Sequence, residues 1–238
     1  MNNSIQIIPF TSLAIAFIPA FVVIGIFYKW SLGGRHALYA TSRMLAQLLL
    51  IGYCLTYIFK SDSPWIVAAV LTVMVFTSSW IALRTIQTRR QVVYKYALCS
   101  ILLGGGTTLL LITQGVLHLH PWYLPRYLIP LAGMIFANAM NSVSLAAERF
   151  EAEIKRDVDY DQARNIALRA SLIPIINSLF AVGLVSLPGM MTGQILSGIS
   201  PLIAVRYQIM VMCMIFGAAG ISSACFLTLV KNRVLENK

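Results

Sequence analysis

Charge is what this chain has least of. Only 11% of its 238 residues are charged and 58% are hydrophobic, whereas a soluble domain carries about 25% charged residues. That composition excludes a water-soluble globular protein. No Asp or Glu falls within any long apolar segment, so the carboxylate relays of proton-coupled carriers and the acidic rings of cation channels are missing. The last apolar segment has no lysine for a retinal Schiff base, and neither a Gly-x-Ser-Gly nor a His-Glu zinc motif marks an intramembrane protease. No Walker phosphate loop is present. Gly104-Gly-Gly106 lacks the Lys-Ser/Thr ending and lies in an apolar helix, where close packing or a bend is the expected role. Any ATP that drives this protein is therefore hydrolysed, with its Mg, on another subunit, and the chain itself is expected to bind no cofactor. The four cysteines show no Cys-x-x-Cys spacing, and no resident metal site is expected. The formal net charge of +10 is spread singly between apolar blocks, which suits topology signals and lipid headgroups rather than a nucleic-acid groove.

What is present is apolar length. Seven segments, near 5–28, 36–59, 64–83, 96–117, 127–147, 172–196 and 207–230, are each long enough to cross about 30 Å of hydrocarbon. The expected fold is an all-α, multi-pass membrane bundle, because backbone in lipid must satisfy its own hydrogen bonds. One transmembrane domain, 1–238, accounts for the chain and leaves no room for a soluble one. Residues 1–28 carry no charged side chain, so the first segment lacks the basic start of a cleavable signal and is expected to remain as a span. With the N-terminus outside and the C-terminus cytoplasmic, only Lys60, Arg126 and Arg206 of the 18 Lys and Arg fall in outer loops, and Arg43 lies in the second span. The rest, Arg89 and Lys238 included, face the cytoplasm, as the positive-inside rule requires.

Mild polarity inside the spans marks a candidate pathway. Arg43 and Gln47 share a face of the second span, Asn138, Asn141 and Ser144 recur at spacing three on the fifth, and Asn177 and Ser178 begin the sixth. Interhelical hydrogen bonding explains such residues too, but an arginine in a span costs about 2.5 kcal/mol or more unless it snorkels, pairs or faces water. Pro188-Gly189 should break the sixth span, exposing backbone beside Met190 and Met191, soft side chains suited to a path.

The one compositional break is 148–171, which holds six of the eight acidic residues. Phe150, Ile154 and Val158 form an apolar stripe at spacing four, Glu151 and Lys155 form an i, i+4 pair, and Asp159 or Asp161 is placed to cap a second helix that runs through Ile166 and Leu168 to Pro174. A solvated surface helix fits this pattern. So does a helix that docks a cytoplasmic partner.

The stretches Ala170-Ser-Leu-Ile-Pro-Ile-Ile-Asn-Ser-Leu179, Leu187-Pro-Gly-Met-Met-Thr-Gly193 and Arg206-Tyr-Gln-Ile-Met-Val-Met212, with echoes from Arg43 to Tyr53 and in Ile129-Pro-Leu-Ala-Gly-Met-Ile135, resemble the Fet-type iron-export ABC permease family. Plant aluminium-tolerance permeases, linked to nucleotide-sugar transport, are similar to it. The resemblance implies a permease of the bacterial inner membrane, two copies of which pair with a cytoplasmic ABC ATPase. It implies export of iron, relief of metal or oxidative stress, and a coupling role for 148–171, with Phe150, Glu151, Ile154, Lys155, Val158 and Arg164 facing the ATPase. The residues themselves favour a different cargo form, since a path without carboxylates is a poor host for bare ferrous ion. A chelated form of iron, or an organic anion such as a nucleotide sugar, suits Arg43 and the asparagines better. A membrane scaffold or sensor whose charged helix docks a signalling protein is the remaining alternative.

Overall fold

A computed structural model describes residues 9–60, 63–86 and 90–235. Arg89, Lys238 and the first four residues of the expected span 5–28 lie outside the described residues. Every regular element among the described residues is helical. The chain divides into two compact units, Met1–Ser61 and Asp62–Lys238.

The first unit contains α1 (Phe10–Ile15), α2 (Ile18–Lys29) and α3 (Gly34–Ile58). Pro19 sits in the first turn of α2, where its missing N–H costs nothing. Left-handed residues Ser31 (φ 56°) and Gly33 (φ 79°) then reverse the chain. Gly34 must lack a side chain, because a Cβ there would lie 2.5–2.8 Å from the Tyr28 ring. Arg43 and Gln47 stand one turn apart on α3, both exposed.

The second unit contains α4 (Pro64–Ala82), α5 (Arg90–Leu110) continued by a π-helical turn (Leu111–Val116), α6 (Pro125–Ile154), α7 (Tyr160–Ala181), α8 (Gly189–Leu196) and α9 (Pro201–Leu235). Its core forms where α5, α6 and α9 meet, around Ala97, Ile101, Ala132, Ile135, Ala139, Val143, Ala218 and Phe226. Small residues let the backbones approach closely, which matters where lipid supplies no hydrophobic drive between helices. At Gly104 a Cβ would lie 2.6 Å from the Ser222 backbone nitrogen, and at Gly105 2.8 Å from the Phe136 ring. The triple glycine is thus a packing device, with Gly104 and Gly105 carrying it.

Six helices of the described chain have membrane-crossing length and apolarity: Thr11–Lys29, Gly34–Ile58, Pro64–Ala82, Gln91–Val116, Pro125–Ile154 and Pro201–Lys231. The stretch expected as a sixth span, 172–196, is divided instead. α7 begins twelve residues before it, the chain turns at Val182–Leu187, and α8 carries on from Gly189. Gly183 takes the left-handed φ of 83°, and the Ala181 carbonyl accepts from the Leu184, Val185 and Ser186 amides. Pro188 is the N-cap of α8 and Gly189 its first residue. The Pro-Gly pair therefore starts the new helix, and the break lies just before it. The helix expected at the start of the acidic segment 148–171, with its apolar stripe, is likewise not a separate one: α6 runs on into that segment as far as Ile154.

Candidate functional site

One face of α6 lines a groove along the second unit. Arg126, Pro130, Met134, Asn138, Asn141 with Ser142, Leu145 and Arg149 recur at steps of three or four, and they line four neighbouring cavities. At 1.5 Å per residue, Arg126 to Arg149 spans about 34 Å, the thickness of a hydrocarbon layer. The cavity at the start of α6, about 430 Å³, lies among Arg126, Tyr127, Met134, Met190, Gln194 and Tyr207. The next, about 320 Å³, shares Met134 and Met190 with it and adds Asn138, Ser178, Pro188, Gly189, Gln208 and Met212. A narrow section of about 100 Å³ follows between Asn138, Asn141, Ser142, Ser171 and Ser178. The fourth, about 710 Å³, is lined by Arg149, Gln162, Asn165 and Arg169 together with the apolar Ile166, Ala170 and Ile173.

Local structure sets this face. Pro130 and Pro174 lie inside α6 and α7; each lacks an N–H, so the carbonyls of Arg126 and Ala170 lose their helical donors along the groove. Asn138 Nδ2 donates to the Met134 carbonyl at 2.8 Å, and Ser178 Oγ to the Pro174 carbonyl at 2.9 Å. Ser142 ties three helices together, bonding Ser223 Oγ of α9 at 2.6 Å and donating to the Ser171 carbonyl of α7 at 3.4 Å. Gln208 is only 5% exposed, and neither its Oε1 nor that of Gln194 has a hydrogen-bond partner. No side chain caps α8, so the first-turn amides of Gly189, Met190 and Met191 have no helical acceptor. Asn138 sits near the middle of the membrane-length helix Pro125–Ile154, and the break between α7 and α8 lies beside it.

Of the expected pathway residues, the structure brings together Asn138, Asn141, Ser178 and Met190, with Pro188 and Gly189 beside them. Asn177 is exposed and Met191 half-buried, and neither lines these cavities. Ser144 faces away and meets Thr85 at 3.4 Å. Arg43 and Gln47 belong to α3 of the first unit. The sequence reading passed over Gln194, Gln208, Ser142 and Arg126. Gln208 carried a usable signal, an uncharged polar residue one position inside the expected span 207–230, but it reads there as a boundary residue.

Beyond the Arg149 end of the groove, α6 and α7 form a hairpin. Asp159 caps α7, accepting from the Asp161 amide at 3.1 Å, and Asp157 turns the chain with φ 58°. Glu151 and Lys155 pair at 2.8 Å, and Arg164 pairs with Asp161 at 2.9 Å. Glu153, 4% exposed, is held by Arg149 at 2.7 Å and Arg156 at 3.6 Å. The apolar stripe points inward. Phe150, 4% exposed, packs edge-on against Tyr160 with ring centres 5.9 Å apart, and Ile154 and Val158 rest on the same core. Phe150 is thus closed to a partner in this conformation, because the hairpin buries its apolar side against its own bundle. The face left for docking is Lys155, Arg156, Asp157 and Asp159. Tyr160 donates to the Leu227 carbonyl of α9 at 3.0 Å, with Lys231 and Arg164 over its ring at 5.2 and 5.7 Å. Burial pushes its phenol pKa up, and Arg164 works against that shift.

Membrane-length helices, cavities along one face of α6, a break between α7 and α8 and a charged hairpin define a multi-pass helical membrane protein. The chain belongs to the Uncharacterised protein family (UPF0014), whose model matches residues 10–160 and 158–235. It is 41% identical over 195 residues to the UPF0014 membrane protein slr1647 of Synechocystis, covering 75% of this chain and 74% of that one. It is 35% identical over 239 residues to the probable iron export permease protein FetB of Escherichia coli, covering 91% and 89%. It is also 35% identical over 203 residues to the protein ALUMINUM SENSITIVE 3 of Arabidopsis thaliana, covering 78% and 72%. No solved structure matches it.

Proposed function

We propose that this protein is the membrane-spanning permease subunit of an ATP-driven exporter of the bacterial inner membrane, working as a homodimer with a cytoplasmic ABC ATPase that binds ATP and Mg. Its cargo is iron or an iron complex, and its role is metal homeostasis and resistance to oxidative stress. The groove carries this reading: cavities bearing polar side chains follow one another along a helix of membrane length, beside a discontinuous helix as in many transporters. The likeness to a probable iron export permease over most of both chains supports iron as cargo.

The lining of the groove favours a second form of cargo. Arg126, Arg149 and Arg169 line it, and no Asp or Glu lines any of the four cavities. A bare divalent cation gains nothing from such a path, whereas a chelate of net negative charge, or an organic anion, gains at both ends. The hairpin supplies the coupling, through Lys155 and Arg156 at its exposed tip.

The test is reconstitution of the chain with its copurifying ATPase in inside-out vesicles, following ATP turnover and solute uptake. Iron is offered as ferrous ion and as a chelate, with a nucleotide sugar in parallel. Cargo-stimulated ATP turnover is expected, and the Lys155→Ala/Arg156→Ala double variant should lower it at least about tenfold with only the small loss of thermal stability that two exposed partners of ion pairs carry. An ATPase that binds the double variant as well as wild type, or turnover indifferent to every solute, would refute the reading.

A further inference from the structure

We propose that the cavity at the break between α7 and α8 binds an oxyanion that also carries a hydroxyl group, the chemistry shared by hydroxycarboxylates and phosphorylated polyols. Two independent features point there. The first is the start of α8, an eight-residue helix without a side-chain cap. Its free amides and the positive end of its dipole open on the cavity through Pro188, Gly189 and Met190. A Cβ at Gly189 would meet nothing within 4 Å, so a ligand can approach this backbone closely. The last α7 carbonyl, that of Ala181, is already taken by three amides of the turn.

The second feature is Gln208, nine-tenths buried and lining the same cavity with its Oε1 unpaired. A buried amide oxygen without a partner forfeits its hydrogen bond to water, a loss that a ligand hydroxyl would recover. An oxyanion alone leaves that oxygen empty, and a bare cation would face the α8 amides. A ligand with both groups satisfies both. At about 320 Å³ the cavity sits at the lower end of ordinary small-molecule sites. That the bound solute is the exported cargo rests on the transport reading; the binding itself does not.

The experiment measures binding to the purified full chain in lipid nanodiscs by calorimetry, using citrate, tricarballylate (the same three carboxylates without the hydroxyl), inorganic phosphate and glucose 6-phosphate. Citrate should bind about tenfold or more tightly than tricarballylate, the loss of one well-placed hydrogen bond. Phosphate should compete with whichever organic ligand binds. Gln208→Leu should erase the citrate preference, Gly189→Val should weaken all four ligands, and Asn177→Ala, off the groove, should change none. The tighter of citrate and glucose 6-phosphate names the source of the oxyanion. Equal binding of citrate and tricarballylate, no competition by phosphate, an unaffected Gln208→Leu variant or no binding of any probe would overturn the site. Binding that behaves as expected in a complex that moves no solute leaves the site standing and removes the transport reading. Wild-type export by Gln208→Leu keeps the transport reading and overturns the assignment of the bound solute as its cargo.

Discussion

Tyr160 lies in the most acidic stretch of the chain, yet its ring is buried and its hydroxyl reaches the Leu227 carbonyl across 3.0 Å. This single bond fastens the start of α7 to α9. Tyr160→Phe keeps the edge-on packing with Phe150 but deletes the donor, at a cost of about 1 kcal/mol, readable as a lower unfolding temperature in detergent. The pH dependence has a definite sign. Burial raises the phenol pKa above its ordinary 10.0, so the unfolded chain loses this proton first. The contribution is therefore whole below pH 10 and is lost as pH rises beyond it. Wild type should lose stability more steeply above pH 10 than Tyr160→Phe, and equal alkaline slopes would show that Tyr160 is not the group responsible. Side chains like this one were hidden from the sequence, because a tyrosine between aspartates reads as surface. Asn138, Asn141, Ser178 and Met190 were legible, since polar or soft side chains in an apolar span need a reason. Asn177 misleads because it follows the same pattern one residue, about 100°, around the helix from Ser178.

At the scale of elements, two glycines of three set the contacts of α5, Gly104 against α9 and Gly105 against α6. Gly104 and Gly105 face Ser222 and Phe136 at distances that leave no room for a Cβ, while at Gly106 the nearest atom, Leu102 Cδ1, lies 3.8 Å away. Gly104→Ala should cost about 1–3 kcal/mol by forcing the helices apart, and Gly106→Ala should be neutral or stabilising, since alanine is the better helix former. Thermal unfolding of the two variants side by side checks this, and equal losses would contradict the geometry. The sequence made the triplet legible as a packing or bending device, and left open which residue carries it, because that depends on helix rotation. Helix ends were harder to place. The acidic run at 148 reads as a boundary, yet Glu, Ala and Lys are strong helix formers, so α6 continues to Ile154 and takes Phe150 with it. That continuation turns the apolar stripe inward and moves the docking face to the hairpin tip. Pro188-Gly189 was legible as a break, and its position one step past the turn follows from proline's preference for helix starts.

For the whole molecule, orientation decides what the groove connects. In the second unit the arginines at the two ends differ in company. Arg126 stands in the cavity at the start of α6 with Tyr127 and Tyr207, aromatic neighbours suited to a headgroup layer. Arg149 leads into a hairpin bearing Lys155, Arg156 and Arg164, a density of positive charge that the positive-inside rule assigns to the cytoplasm. A cysteine at position 156, whose arginine is 67% exposed, should react with a membrane-impermeant maleimide in inside-out vesicles and not in intact cells. Trp122→Cys, in the exposed loop before α6, should show the opposite pattern. Replacing the four native cysteines, Cys54, Cys99, Cys213 and Cys225, with alanine removes background labelling. Reversed labelling at both positions would turn the groove over, placing Lys155 and Arg156 where no ATPase reaches and converting the arginines at the α6–α7 end from a cytoplasmic entrance into an outer vestibule. Labelling of position 156 from the vesicle exterior alone keeps the hairpin on the side where ATP is made and spent, and so keeps its charged tip available for coupling.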